Sequence, residues 1–335
     1  FFMYQSDSVD SLSSCCRLRN AVEDNIFSST LGAGGIETGS KKVYTLNLNR
    51  IAQNWDKQGR NGSLKDAVME VTKRVHIYLR AYNEILWDFY RGGILTIYNA
   101  GFIDLDRQFL TVGINGFLEM AEFLGIKTNP RDSEYQKLAE DILGGIEAYN
   151  RADRSEHCKY NLEFVPAESL GCKNAKWDKR DGMRVNRNCY NSYFYPVEDT
   201  SIDPVEKFAY QGGVFAKALS GGSALHNNLD EHLTKEQYRK LMDVAIAEGC
   251  PYFTYNVMNT ICNKCGHISK HTFKTCPKCG SEDVDYATRV IGYLKRISSF
   301  SAARQIEAEN RAYNELGHIG HHMSELHEKG ESTNA

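Results

Sequence analysis

The sequence has no surplus of charge of one sign: 40 Lys+Arg stand against 43 Asp+Glu, a formal net charge of −3. A nucleic-acid coat or a direct nucleic-acid binder normally shows a basic footprint, so that class is disfavoured. Nor is there a run of the roughly 18 consecutive apolar residues that a membrane span needs. The opening residues, FFMYQSDSVDSLSS, lack the charged start and apolar middle of a signal peptide. Internal repeats and low-complexity stretches are missing as well, and the one linker-like segment is the polar tail after about Tyr313. What is left is a near-neutral globular chain of 335 residues, 41% hydrophobic and 25% charged, expected in the cytoplasm and with apolar material for one large core or two smaller ones. It carries 10 cysteines, far too few for a disulfide scaffold at this length, and four of them fall in a metal-binding spacing. Residue 1 is Phe rather than Met.

Periodicity places the main elements. Ser63 with Asp66 three residues on reads as a helix cap, and Val68, Val71, Val75, Leu79, Tyr82, Leu86 and Phe89 recur at helical spacing up to Arg91, before Gly92 and Gly93. This predicts a long core helix. A second helix opens near Ser133 and runs through Leu138 and Ile142; a third starts at the Thr234 cap, carries Tyr238, Leu241 and Val244, and stops at Gly249. Val43 to Leu48 and Tyr252 to Met258 read as strands. Long helices alternating with isolated strands predict an α/β fold.

Cys262-Asn-Lys-Cys265-Gly and Cys276-Pro-Lys-Cys279-Gly are two CxxCG knuckles. Two thiolates from each can meet one ion, the following Gly permits the tight turn, and four thiolates satisfy tetrahedral Zn2+ with no position left for water. The spacing therefore predicts structural zinc rather than a catalytic metal, with a redox or iron site as the alternative. The segment between the knuckles, GHISKHTFKT, is basic but lacks interleaved aromatics, so bracing a neighbouring segment is favoured over nucleic-acid binding.

Two further spots draw attention. Arg289-Val290-Ile291-Gly292-Tyr293-Leu294 sets a Gly among apolar residues, which locally reads as a strand kink or a close backbone approach. Ser14-Cys15-Cys16-Arg17-Leu18 holds adjacent cysteines, which cannot easily chelate one metal together and locally read as core or loop thiols.

RVxGYL directly after a CxxC…CxxC ribbon resembles the C-terminal glycyl-radical segment of the anaerobic (class III) ribonucleoside-triphosphate reductases. The resemblance implies that Gly292 stores a radical, removed as a hydrogen from its α-carbon by an activating enzyme with an iron–sulfur cluster and S-adenosylmethionine. It also implies that a Cys-Arg dipeptide sits on a loop threading the barrel, with Cys16 the thiyl and Cys15 the fallback. Tyr44 to Ala52, YTLNLNRIA, resembles the family's SLNLPRIA strand with Asn49 in place of Pro. Asn47 then matches an asparagine that faces substrate in the formate-using branch, while on its own it reads equally as a strand-end cap. Phe164-Val-Pro-Ala-Glu-Ser169 resembles the family's TPAE segment, which lies at a helix start. A helix N-terminus favours phosphate, so Pro166, Ala167, Glu168 and Ser169 are the candidate triphosphate cradle, with the Glu168 charge as the objection. Asn191-Ser192 matches a further dipeptide near the substrate, and SGGSALH at 220–226 also recurs in the family, though it reads locally as a turn leading into a strand.

The implied fold is the C-terminal part of the ten-stranded α/β barrel over 1–258, a zinc ribbon over 259–283, a glycyl-radical segment over 284–314 and a polar tail over 315–335. In the tail, His318, His321 and His322 read as part of a polar helix or disordered end rather than a metal site. The implied activity is oxygen-free reduction of ribonucleoside triphosphates, with formate as reductant and a thiol donor as the other option. The implied partners are the activating enzyme, a second copy of the chain and an N-terminal portion. The family carries a regulatory domain and half the barrel ahead of its cysteine loop, so Phe1 is expected to be a cut or splice point. Two other readings compete: a different glycyl radical enzyme, such as a lyase or dehydratase, which generally lacks the ribbon; and a non-catalytic zinc-ribbon binding module.

Overall fold

The computed structural model describes residues 2–4, 11–14, 18–21, 39–164, 170–229, 232–289, 294–300, 305 and 308. The chain opens with strands β1 (Phe2–Tyr4), β2 (Ser11–Ser14), β3 (Leu18–Ala21) and β4 (Gly39–Asn47), followed by helices α1 (Leu48–Lys57), α2 (Leu64–Arg91) and α3 (Thr96–Asn99). Next come β5 (Gln108–Asn115), α4 (Phe117–Phe123), α5 (Ser133–Ala152), β6 (Lys159–Phe164), α6 (Leu170–Arg180), α7 (Pro204–Tyr210) and α8 (Gly213–Lys217). The order closes with β7 (Leu225–Leu229), α9 (Lys235–Ala247), β8 (Tyr252–Val257), β9 (Asn259–Cys262), β10 (Ile268–Ser269), β11 (Val284–Arg289) and β12 (Leu294–Arg296).

The parallel strands, β4–β6 and β7–β8, are built from strand–helix–strand units, whereas β2–β3 and β9–β12 are antiparallel. β4, β5 and β6 pair in parallel, with Asn47 opposite Asn115 and Ile114 opposite Phe164. β7 and β8 pair in parallel with Asn228 opposite Asn256, and β1 adds antiparallel to β8. A parallel bridge between Glu163 and Gly222 carries the first sheet over to the segment that enters β7; there Gly221 donates to the Leu162 carbonyl at 2.7 Å and Phe164 to that of Gly222 at 3.1 Å. Each parallel step is covered by helices, as a parallel strand needs a crossover.

Strand side chains alternate between faces. Leu46, Leu110, Val112, Ile114, Leu162, Phe164, Leu225, Leu229, Phe253 and Val257 belong to one buried apolar core with Val68, Val75 and Leu79 of α2, Leu138, Ile142 and Ile146 of α5, and Leu241 and Ala245 of α9. The expected helices are present: α2 has a capping box between Ser63 and Asp66, and α9 one between Thr234 and Gln237. α2 has buried residues from Val68 to Asn83, and none in its last two turns. Its 28 residues extend about 42 Å, and Ile85 and Phe89 near its C-terminus are exposed. No helix among the described residues is long and apolar enough to cross a membrane.

Candidate active site at the strand ends

The face of the parallel strands away from the apolar core is polar, yet largely buried. Thr111 and Asn115 of β5, Asn161 and Glu163 of β6, His226 and Asn228 of β7, and Thr254 and Asn256 of β8 are all buried. Polar groups at such positions cost free energy unless satisfied, so this face is not there to build a core. Ligands of parallel α/β sheets bind outside the carboxyl ends of the strands. Here those ends are Asn47, Asn115 and the segment after Phe164.

Asn47 ends β4 and caps α1: its Oδ1 accepts from the Arg50 backbone N–H at 3.1 Å, and its Nδ2 donates to Oδ2 of Asp178 at 2.9 Å. Asp178 on α6 is fully buried and gathers three donors. Besides Asn47 they are the Tyr190 hydroxyl at 2.7 Å and, on Oδ1, Nε of Arg50 at 2.5 Å. Burial and the bond to Asp178 push the Tyr190 pKa up, so the phenol stays protonated and donates, while accepting from Asn49 Nδ2 at 2.7 Å. Gly116 makes the approach possible: its φ of 74° turns the chain into α4, and a Cβ there would stand 3.2 Å from the Tyr190 ring and 3.4 Å from Asn47 Oδ1.

Asn191 lies against the end of β5. Its backbone N–H and its Nδ2 both donate to Oε1 of Glu119 on α4, each at 2.9 Å. Its carbonyl accepts from Asn115 Nδ2 at 3.2 Å, and Asn115 Oδ1 accepts from Asn174 Nδ2 at 2.9 Å. Burial pushes the Glu119 carboxyl up to about 7, against the opposing pull of Arg187 and the Asn191 donors. The fold thus brings Asn47 and Asn191, far apart in sequence, to neighbouring strand ends and joins them through Tyr190 and Asp178. Ser192 follows Asn191 and is half-buried. Asp178, Glu119, Tyr190 and Asn115 carried no motif signal; the only trace was polar residues alternating with apolar ones in strands β5 to β7.

The four cysteines converge. Cys262 and Cys279 Sγ are 3.6 Å apart, Cys265 and Cys276 Sγ 3.7 Å, and all four lie within 4.8 Å of one another. Tetrahedral zinc with bonds of about 2.3 Å sets its sulfurs about 3.8 Å apart, so the donor set and spacing fit that ion. The two knuckles repeat one geometry. The N–H of Gly266 donates to Cys262 C=O at 3.0 Å and that of Gly280 to Cys276 C=O at 2.9 Å, with φ of 70° and 67° at the glycines. Burial of the Cys276 thiol is outweighed by the Lys278 and Cys279 N–H groups and by the neighbouring thiols, which draw its pKa down.

This unit adjoins the segment that holds Gly292. β9 pairs with β10 and β11, with Val284 opposite Cys262, and β11 continues to pair with β12, Arg289 opposite Leu294. Arg296 of β12 reaches Asn263 Oδ1 in the first knuckle at 2.5 Å. Asn256 Nδ2 of β8 donates to both Asn228 Oδ1 and Thr288 Oγ1 of β11 at 2.8 Å, which ties the cysteine unit to the polar strand face. Gly292 itself lies outside the described residues, within the four residues that join β11 to β12. Cys15 and Cys16 also lie outside them, in the three-residue connection between β2 and β3, which pair antiparallel with Ser14 opposite Leu18. Pro166, Ala167, Glu168 and Ser169 are likewise outside, between the end of β6 and the start of α6.

A family profile described as anaerobic ribonucleoside-triphosphate reductase matches residues 1–313. The chain belongs to this family. Among solved structures it is similar to one described as anaerobic ribonucleotide reductase, at 26% identity and a TM-score of 0.77, covering 94% of this chain and 50% of that one. It is also similar to the anaerobic ribonucleotide reductase from Thermotoga maritima in complex with dATP and CTP, at 27% identity and a TM-score of 0.74, over 92% of this chain and 50% of that one. The same enzyme with glycerol in the active site matches over the same shares, again at 27% and 0.74. This reductase-family chain therefore spans about half the length of the solved chains it matches. No curated protein matches it.

Proposed function

We propose that this polypeptide is the part of an anaerobic ribonucleoside-triphosphate reductase that carries both radical residues, and that it reduces ribonucleoside triphosphates to 2′-deoxyribonucleoside triphosphates. The observation that carries the reading is the likeness to solved anaerobic reductases along nearly the whole chain, one of them bound to dATP and CTP. In this reading β4 to β8 supply the parallel half of a ten-stranded barrel, closed by a portion outside this sequence.

Gly292 stores the radical, installed by an activating enzyme with an iron–sulfur cluster and S-adenosylmethionine. A side-chain-free Cα can become planar and share the unpaired electron with the flanking amide N and C=O. The Cys16 thiol, or that of Cys15, gives its hydrogen atom to Gly292 Cα and becomes a thiyl. The thiyl takes the ribose 3′ hydrogen, the 2′-hydroxyl leaves as water with a proton taken up from the medium, and formate, oxidised to carbon dioxide, supplies the hydrogen atom and the electron that restore the sugar. The thiol then returns the 3′ hydrogen and regains its radical. Asn47 and Asn191-Ser192 bind the substrate, residues 166 to 169 hold the triphosphate, and the dry, polar strand face orients the sugar while excluding solutes from the radical. Cys262, Cys265, Cys276 and Cys279 hold zinc, whose contribution is structural: it braces β11 ahead of Gly292. The active assembly is a cytoplasmic homodimer.

The test is anaerobic turnover. Activated reductase containing this chain, given a ribonucleoside triphosphate and formate, is expected to release the deoxyribonucleotide, and Cys16→Ser is expected to abolish this. Full turnover by the Cys16→Ser, Cys15→Ser double variant would overturn the reading.

A further inference from the structure

Asn191 belongs to the stretch between α6 and α7, where neither a helix nor a sheet ladder fixes a side chain. What fixes it is one oxygen. Oε1 of Glu119 accepts both the backbone N–H and the Nδ2 of Asn191 at 2.9 Å, and Asn191 Oδ1 accepts from the Val197 N–H at 3.2 Å. With Nδ2 committed to a carboxylate and Oδ1 to an N–H, the amide has one orientation. The same stretch is anchored a second time on α4: Arg187 lies 3.6 Å from Glu119 Oε1 and donates to Glu122 Oε1 at 2.6 Å, while its Nε reaches Glu198 at 2.6 Å. α4 starts directly after the β5 end, so Glu119 refers the position of Asn191 to the strand itself.

The arrangement is not what packing alone would select. Glu119 is 2% exposed, and its second oxygen, Oε2, is buried with no hydrogen-bond partner among the described residues. A buried carboxyl with one bare oxygen costs stability that an apolar side chain on this helix face would spare.

We propose that Glu119 is a positioning residue of the reductase: it fixes the amide of Asn191, the group that the proposed function sets against the nucleotide. The inference rests on that reading of Asn191, and Glu119 acts through it without touching substrate.

A double-mutant cycle in the active reductase containing this chain separates the two. Asn191→Ala is expected to lower kcat/KM about 10²-fold, the scale of losing an oriented substrate contact. Glu119→Ala is expected to lose a similar factor, and the double variant to lose no more than Asn191→Ala alone. Glu119→Gln, which keeps a carbonyl oxygen for both Asn191 donors, should recover most of the Glu119→Ala loss. Hydrogen exchange of the 189–197 stretch should quicken in Glu119→Ala and stay slow in Glu119→Gln, a readout that holds whatever the activity. Losses that multiply in the double variant, or an unchanged kcat/KM in Glu119→Ala, would overturn the role of Glu119. An Asn191→Ala enzyme with unaltered kcat/KM would instead overturn the assignment of Asn191 on which it rests.

Discussion

The four-cysteine unit, on the β9–β12 sheet, and the strand-end network, at the ends of β4 and β5, are both polar sites, yet they are held together in opposite ways. The cysteine unit draws all its ligands from residues 262 to 279, has little apolar core, and repeats one knuckle twice. The strand-end network joins residues more than a hundred positions apart: Asn47 and Asn49 meet Asp178 and Tyr190 across 131 and 141 residues. Metal affinity is folding energy for a unit of the first kind. A network of the second kind borrows its stability from the surrounding apolar core and spends some of it holding buried charge. One should fail when its ion is withdrawn, the other when a single carboxylate is.

The largest expected effect separates them. Zinc should bind at about one ion per chain, and structural zinc sites of this type contribute about 10 kcal/mol. Chelation, or Cys262→Ser, is expected to release the ion and open residues 259–289 to hydrogen exchange while residues 39–164 keep their protection. Simultaneous loss of protection in both would break the comparison. Next comes Asp178→Ala, which strands the Asn47 and Tyr190 donors and leaves Arg50 without its buried partner. A loss of about 2–4 kcal/mol in urea unfolding is expected, with metal content unchanged; a loss below about 0.5 kcal/mol would show that the network is not held by this carboxylate.

The smallest effect concerns Glu119. Its folded-state pKa is raised from 4.5 to about 7. The folded protein therefore holds a proton that the unfolded chain releases, so this group's contribution is complete below pH 4.5 and lost as pH rises to about 7. The loss is at most about 3 kcal/mol. Arg187, Tyr135 and Tyr190 face or pack around the same carboxyl; of these, Arg187 opposes the shift and stays charged throughout the window. Glu119→Gln should flatten this part of the stability profile, its Tm gaining on that of the parent between pH 5 and 8. A parallel pair of profiles would contradict the carboxyl's raised pKa.

The same contrast explains what the sequence revealed. The cysteine quartet was readable because its geometry is written in local spacing, as were α2 and α9 from their caps and apolar periodicity and α5 from its periodicity alone. β4 and β8 were readable from β-branched and aromatic runs, although the strand expected through Leu48, and through Ala52 in the YTLNLNRIA stretch, ends at Asn47, where the Asn47 cap starts α1. β5, β6 and β7 were not: β5 and β6 alternate apolar with polar residues, but Asn, Glu and Gly within these short runs carry little β-propensity. Asp178, within the charged run KNAKWDKR, and Glu119, within FLEMAEF, look like ordinary solvent-facing helix residues. Only the meeting of α4, α6 and the 190–191 stretch makes them buried acceptors. Asn47 carried two readings, of which the cap on α1 is present. Exposure of Phe89, the last member of the apolar series on α2, corrects the expectation of a stripe buried along the whole helix, since periodicity reports a face and not how much of it is covered.

The central claim is that Gly292 is a radical store served by the braced hairpin. Electron paramagnetic resonance of the reductase after anaerobic activation tests it most directly. A glycyl doublet is expected, absent from a Gly292→Ala variant that still folds and holds zinc, with air then cutting the chain at Gly292. No signal and an intact chain after exposure to air would contradict the account.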